Sequence, residues 1–504
     1  MTRTASGEAE PMAAASSAQT TFDSLDPRTG EVVGRYPLHD ATEVNEIVES
    51  ARVAGRWWAE LGFAERKKRL DQWRALLVRG IDELAGVICS ETGKPLDDAR
   101  LELVLVIDHL HWAANKAEKV LRRRKVGSGV LMANQAATVE YVPFGVVGVI
   151  GPWNYPAFTP MGSIAYALAA GNSVVFKPSE LTPGVGRWLV DSFAEVVPEH
   201  PVLALTTGFG ETGAALCASG VDKVAFTGST ATGKRVMAAC SETLTPVLVE
   251  CGGKDALIVD SDADLKAAAE AAVWGGMSNA GQTCIGVERV FVVEAVADRF
   301  LELVAERAKK LRPGGEPGAD LGPITMPSQV EVIRRHVDEA LDGGARAVVG
   351  GKDSVRPPFV EPVVLVDVPA GSAAAVDETF GPTLVVERVR DADEGVERAN
   401  QGNYGLGGTV FSRSRGVELG RKLRAGMVAV NSVIAFAAVP ALPFGGVGDS
   451  GFGRIHGEDG LREFARPQSM TRTKFRIPLN PMSFARSKGT VRAVVRLIRL
   501  TRGR

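Results

Sequence analysis

From Tyr141 to Phe176 the chain carries no charged side chain, and that stretch sets the terms for the rest of the fold. About 20 apolar residues in one helix would cross a bilayer, but Pro143, Pro152, Pro156 and Pro160 interrupt this run. Each interior proline removes a helical hydrogen bond and clashes with the turn before it. Strand, turn, helix and strand inside a soluble core explain the missing charge better. Val146–Ile150 reads as a buried strand, Met161–Ala170 as a helix and Ser173–Phe176 as the next strand.

The alternation continues downstream, with a helix at Pro183–Val197, a strand at Val224–Thr227 and a helix at Ala231–Cys240. A second alternating unit begins near Asp255, with strand Ala256–Val259, helix Ala263–Trp274, strand Arg289–Val293 and helix Val296–Leu311. Strands and helices in this order predict an α/β protein with parallel sheets, right-handed crossovers and ligands at the strand C-terminal ends. Upstream, Asp26–Gly34 reads as a turn into a strand. Thr42–Trp58, Glu65–Cys89 and Asp97–Arg123 read as three helices with apolar residues spaced three and four apart. The first twenty residues, rich in Ala, Ser and Thr, lack the apolar region of a secretory signal and read as a disordered tail.

Composition narrows the function classes. At about 150 residues per domain, 504 residues make roughly two or three domains. A net charge of −2 argues against nucleic acid as a partner of the body of the chain. The five cysteines (89, 217, 240, 251, 284) form no CxxC pair and no cluster with zinc-ligand spacing. That pattern predicts free thiols, no metal and a reducing, cytoplasmic setting.

Five short stretches carry side chains suited to chemistry. Cys284 lies in Asn279–Arg289 between Gly281 and Gly286, where the backbone can turn sharply and approach a ligand. The alternative is an inert core thiol. Glu250 ends the apolar run Val247–Val249 just before Gly252 and Gly253. Desolvation there would raise its pKa and make it a base near neutral pH, unless it is a surface carboxylate. Asn154 is held between Pro152 and Pro156, rigid enough to aim a hydrogen bond at an oxyanion. Lys177, Ser179 and Glu180 end a buried strand, where a carboxylate can accept from ribose hydroxyls, or where a solvated loop can turn. Gly228, Ser229 and Gly233 open a helix whose N–H groups can hold a phosphate. Gly228 to Lys234 also has P-loop spacing, but Arg235 stands where a P-loop needs Ser or Thr for magnesium.

Taken together, PWNYP (152–156), FKPSE (176–180), FTGSTATG (226–233), VECGGK (249–254), GQTCIGVER (281–289), ETFGP (378–382) and PFGGVGDSGFGR (443–454) resemble the aldehyde dehydrogenase superfamily in content and order. The resemblance runs from about Phe22 to Met470. It implies Cys284 as nucleophile, Glu250 as general base, and Asn154 with the Cys284 N–H as oxyanion donors. It further implies Lys177, Ser179 and Glu180 at the adenosine ribose, and Gly228, Ser229 and Gly233 at the pyrophosphate. Glu378 would meet the nicotinamide ribose, and Trp153 and Phe380 would pack the cofactor. NAD is the expected cofactor, with NADP second, and a small-molecule aldehyde is the expected substrate, the nearest likeness being to bacterial NAD-preferring members that oxidise aliphatic aldehydes or semialdehydes. Cys251 and Asp255 depart from the family's usual Leu and Asn or Ser. A CoA-acylating relative is the first rival, against which Glu250 argues, and an inactive scaffold is the second.

The implied fold is a Rossmann-type cofactor domain (21–124 and 142–252), an α/β catalytic domain (253–460) and a small oligomerisation element (125–141 and 461–473) serving a homodimer or homotetramer. A basic tail (474–504) follows. From Ala465 to Arg504 there are eleven Lys or Arg and no Asp or Glu. Within Thr490–Leu500, Val491, Val494, Val495 and Ile498 fall on one helical face and Arg492, Arg496 and Arg499 on another. The pattern predicts a basic amphipathic helix for peripheral membrane contact, a solvated or disordered basic tail, or a helix docked on the acidic face of a neighbouring subunit.

Overall fold

The computed structural model describes residues 20–476 and 482–502. The tail expected at the N-terminus lies outside these, apart from Thr20. Two sheets organise the chain. The first has six strands in the spatial order Gly451–Phe452, Val247–Glu250, Lys223–Thr227, Val146–Ile150, Ser173–Lys177 and Leu203–Leu205. All neighbours are parallel except the two-residue Gly451–Phe452 strand. In chain order the five parallel strands stand 3-2-1-4-5. The direction of winding therefore reverses between Val146–Ile150 and Lys223–Thr227, which opens a crevice beyond their C-terminal ends.

The second sheet has seven strands: Arg346–Val349, Val363–Val366, Thr383–Val389, Val287–Val293, Asp255–Val259, Gly407–Phe411 and Met427–Val430. Only the first pairs antiparallel. Its central strands, Asp255–Val259 and Val287–Val293, are buried along their whole length, as strands covered by helices on both faces must be. A separate antiparallel sheet joins Ala465–Thr473, Gln135–Pro143 and Arg124–Val126. It brings together the two segments assigned above to an oligomerisation element.

Helices Ala41–Glu60, Gly62–Arg79, Ile81–Thr92 and Leu96–Leu121 cover the first sheet. The single helix expected over Glu65–Cys89 is two, broken at Gly80. A Cβ there would come within 2.6 Å of the Trp188 ring, which requires glycine at this position, and glycine is a poor helix former that the apolar periodicity passes over. Trp58 and Trp73 are fully buried and donate their indole N–H groups to the Leu168 carbonyl at 2.8 Å and the Ser192 hydroxyl at 2.9 Å. Satisfied in this way, each delivers its full apolar surface to the core, and truncating either to alanine would cost about 3–5 kcal/mol. The turn into a strand expected over Asp26–Gly34 is present and leads into strand Val32–Pro37, which pairs with Thr21–Leu25 as a hairpin. Strand Thr21–Leu25, strand Leu203–Leu205 and helix Gly210–Ala218 escaped the sequence reading. The C-terminal segment carries a helix at Lys488–Arg502. Among the described residues no helix is long and apolar enough to cross a membrane.

Candidate active site

Cys284 sits in the loop that enters strand Val287–Val293, after an unusual turn. Asn279, Ala280 and Gly281 are all left-handed, with φ of 53°, 54° and 73°. For residues other than glycine this conformation costs about 1–3 kcal/mol each, so the surroundings must enforce it. A Cβ on Gly281 would lie 2.0 Å from the Gly381 carbonyl oxygen, which leaves glycine as the residue that fits. The Gln282 amide donates to the carbonyls of Asn279 at 2.9 Å and Pro323 at 3.2 Å and accepts from the Thr325 N–H at 2.8 Å.

Asn154 meets this loop from the other sheet. Its side-chain amide donates to the Gln282 carbonyl at 2.9 Å, two residues before Cys284. An Asn amide has two N–H donors, so one remains for a ligand. The turn that carries Asn154 is braced from the helical cover. Glu102 accepts from the N–H groups of Ala157 at 2.9 Å and Phe158 at 3.0 Å. Lys94 pairs with Glu102 at 2.5 Å, donates to the Asn154 carbonyl at 3.0 Å and lies over the Tyr155 ring.

Cys284 and Glu250 line one cavity. Burial raises the Cys284 thiol well above its ordinary range, and the carboxylates of Glu378, Asp255 and Glu250 add to the rise, against a hydrogen bond from the Ile285 N–H. Glu250 is 2 % exposed, and neither carboxylate oxygen has a hydrogen-bond partner. Burial raises its pKa well above 4.5, with Arg454 opposing and Glu463 assisting. A carboxyl in that state can take a proton near neutral pH. Cys251 and Cys284 are both free thiols.

Glu378 and Phe380 lie on the far side of the same loop. The Glu378 carboxylate accepts from the Gly253 N–H at 3.0 Å and lies so close over Gly252 that a Cβ there would meet it at 2.1 Å. Burial, with Glu288 nearby, pushes Glu378 up to about 8. Phe380 and Trp153 meet edge to face, with ring centres 5.5 Å apart. These two residues, placed far apart in the sequence, thus face each other across the junction of the sheets.

The remaining candidates stand at the C-terminal ends of the first sheet. Lys177 is buried, its ammonium 3.2 Å from the Pro178 carbonyl oxygen and 4.0 Å from the half-exposed Glu180 carboxylate. Burial lowers the Lys177 pKa. The Ser179 hydroxyl accepts from the Leu181 N–H at 3.2 Å and turns the chain. Ser229 caps helix Thr230–Ser241 by accepting from the Thr232 N–H at 3.3 Å. Gly228 donates its own N–H to the Glu250 carbonyl at 3.0 Å, and Gly233 is a buried residue near the start of that helix. Its N–H is spent on the Ser229 carbonyl at 2.9 Å, and its missing side chain lets the helix approach Val249 and Cys251.

Sequence reasoning missed the supports. Glu288 accepts from the Thr379 N–H at 2.9 Å and the Phe380 N–H at 2.9 Å, pairs with Lys254 at 2.5 Å, and so fixes the Glu378 loop. Arg289 donates to the carbonyls of Lys254 at 2.8 Å and Ala399 at 3.1 Å. The available signal was two adjacent charges inside an otherwise apolar strand, because buried charges need partners. Lys94 and Glu102 gave no comparable signal, since their partners lie 60 and 55 residues away.

The profile of the aldehyde dehydrogenase family matches residues 14–470. The chain is 37% identical over 469 residues to a 4,4'-diapolycopene aldehyde oxidase from Methylomonas sp, covering 92% of this chain and 88% of that protein. It is 34% identical over 450 residues to a glutarate-semialdehyde dehydrogenase from Pseudomonas putida, covering 88% and 92%. The crystal structure of an NAD-dependent aldehyde dehydrogenase from Sinorhizobium meliloti superposes with a TM-score of 0.88 at 31% identity, over 93% of this chain and 94% of that one. The chain belongs to the aldehyde dehydrogenase family, whose members oxidise aldehydes to acids.

Proposed function

We propose that this protein oxidises an aldehyde to its carboxylic acid with NAD, through a covalent intermediate on Cys284. The observation that carries the reading is a thiol and an unpartnered buried carboxyl on the wall of one cavity where the two sheets meet. The Cys284 thiol gives its proton to solvent as its sulfur adds to the aldehyde carbon, and the C=O pair moves to oxygen to give the anion of a tetrahedral thiohemiacetal. The free N–H of Asn154 and the Cys284 backbone N–H stabilise its oxyanion. When bound, the nicotinamide supplies the two-electron acceptor for the hydride that leaves the former aldehyde carbon. The thioester left on Cys284 is then cleaved by water whose proton passes to Glu250, releasing the acid and restoring the thiol.

The fit to a dinucleotide rests on the reversal of strand order beside Ile150 and Thr227, with Lys177, Glu180 and the Ser229 turn at its edge. Glu378, Trp153 and Phe380 would border the nicotinamide end. Glu180 accepts hydrogen bonds from a free ribose 2′-hydroxyl and repels a 2′-phosphate. The kcat/KM with NAD is therefore expected to exceed that with NADP by about tenfold or more, a gap of the size that opposed charges produce. Equal values, measured by reduced-nicotinamide absorbance, would mean that Glu180 is turned away from the ribose.

Assembly and location form part of the same proposal. Strand Ala465–Thr473 is a sheet edge with all but its first residue exposed, and a second copy of this chain is its fitting partner. Helix Lys488–Arg502 presents Val491, Val495 and Ile498 beside Arg492, Arg496 and Arg499, all exposed. That composition suits the anionic cytoplasmic face of a membrane, where each basic residue contributes about 1 kcal/mol. Sedimentation with anionic vesicles is expected to carry the full chain at low salt and to fail for a chain ended after Arg476. Equal sedimentation of both would rule this helix out as the contact.

A further inference from the structure

The cavity that holds Cys284 and Glu250 also carries a charge pattern, and it bears on which aldehydes can enter. Its wall is mostly apolar, with Leu101, Leu105, Phe158, Trp274, Phe444 and Ile455 among the residues that form it. Among the described residues that line it, Lys94 is the single Lys or Arg. Its ammonium is consumed, 1% exposed, paired with Glu102 at 2.5 Å and bonded to the Asn154 carbonyl at 3.0 Å. His456 is the other basic side chain on the wall. It is buried, neither ring nitrogen has a partner, and burial together with the neighbouring His109 keeps it neutral. Against the one cation stand two carboxylates, Asp98 and Glu102, even with Glu250 counted as neutral.

A carboxylate at the far end of an aldehyde would thus enter a wall with no free cation and a net negative charge. Burying an unpaired charge is costly wherever nothing neutralises it. At the mouth, Leu101 and Trp274 stand 62% and 54% exposed while also lining the cavity. An alkyl or aryl tail longer than the cavity would continue along apolar surface there.

We infer that the substrate class is neutral, apolar aldehydes, and that aldehydes bearing a distal carboxylate are rejected by Asp98 and by the absence of a free cation on this wall. The inference rests on the reading of the site as an aldehyde oxidation centre. The test compares kcat/KM within pairs of equal chain length, butanal against succinic semialdehyde and pentanal against glutaric semialdehyde, with the full chain and NAD. The neutral member is expected to lead by about 100-fold or more, and kcat/KM should rise about two- to fourfold per methylene from propanal to octanal. Leu105→Arg, which sets a cation in the wall, is expected to narrow the semialdehyde gap at least about tenfold, with the KM for NAD unchanged as a sign of an intact fold. Semialdehydes turned over within about threefold of their neutral partners, too small a gap for a buried unpaired charge, would overturn the inference and leave the aldehyde reading standing. Oxidation of no aldehyde at all would overturn both.

Discussion

Cys284→Ala is expected to abolish steady-state aldehyde oxidation, a fall of at least about 10⁴-fold, because the covalent route is lost and nothing on the cavity wall can replace it. The nearest substitutes are poor nucleophiles. Cys251 also lines the cavity, but it is buried with its sulfur packed against Gly233 of the neighbouring helix, where Cys284 is only half-buried. The Thr283 hydroxyl lies 3.0 Å from the Tyr155 hydroxyl and shares a hydrogen bond with it. The substitution removes one sulfur from a half-buried position, so thermal unfolding should be close to that of the parent. Measured by reduced-nicotinamide absorbance, activity within about 100-fold of the parent, far above the loss of a covalent route, would show that another group attacks the aldehyde.

Glu250→Gln should separate the two halves of the reaction. Addition to the aldehyde and the first oxidation do not need this base, so a rapid mixing trace should show about one reduced cofactor per active site. Steady turnover should then run about 10²–10⁴-fold below the parent, the range a general base contributes. The sign of the pH effect follows from burial, which raises the carboxyl well above 4.5. The group is ionised, and competent as a base, only as pH climbs through that raised value, so parent turnover should rise with pH through a range above that of an ordinary carboxyl. The glutamine variant should lose that rise. A variant with no burst, or with the parent's pH profile, would remove Glu250 from the second step.

The parts of this fold that could be read in the sequence are those whose signals are local. Val146–Ile150 and Ser173–Phe176 announced themselves as uncharged runs between turn residues, and the structure has strands at Val146–Ile150 and Ser173–Lys177. Contacts between distant segments stayed hidden. Trp188, more than a hundred residues away, leaves no room for a side chain at Gly80, a contact that the apolar periodicity on either side does not report. The candidate site divides the same way. Cys284, Glu250 and Asn154 were legible because each sits beside glycine or proline at a strand end. Glu102 looks like any helical glutamate, and only the folded chain gives it the Ala157 and Phe158 amides as partners. Ala280 carries no sequence mark of a left-handed backbone, and only Asn279 and Gly281, residue types that tolerate it, hinted at the turn.

That turn bears on how the chain matures. Its restraints come from Asn154 on the first sheet, from the Pro323 carbonyl, and from Gly381, so it can close only after both sheets have come together. Before that moment Cys284 is an ordinary thiol with a pKa of about 8.5, open to peroxide and to other thiols. Once the turn has closed, the sulfur is half-buried on a cavity wall, so the fold limits which oxidants can meet it, a protection that the unfolded chain lacks.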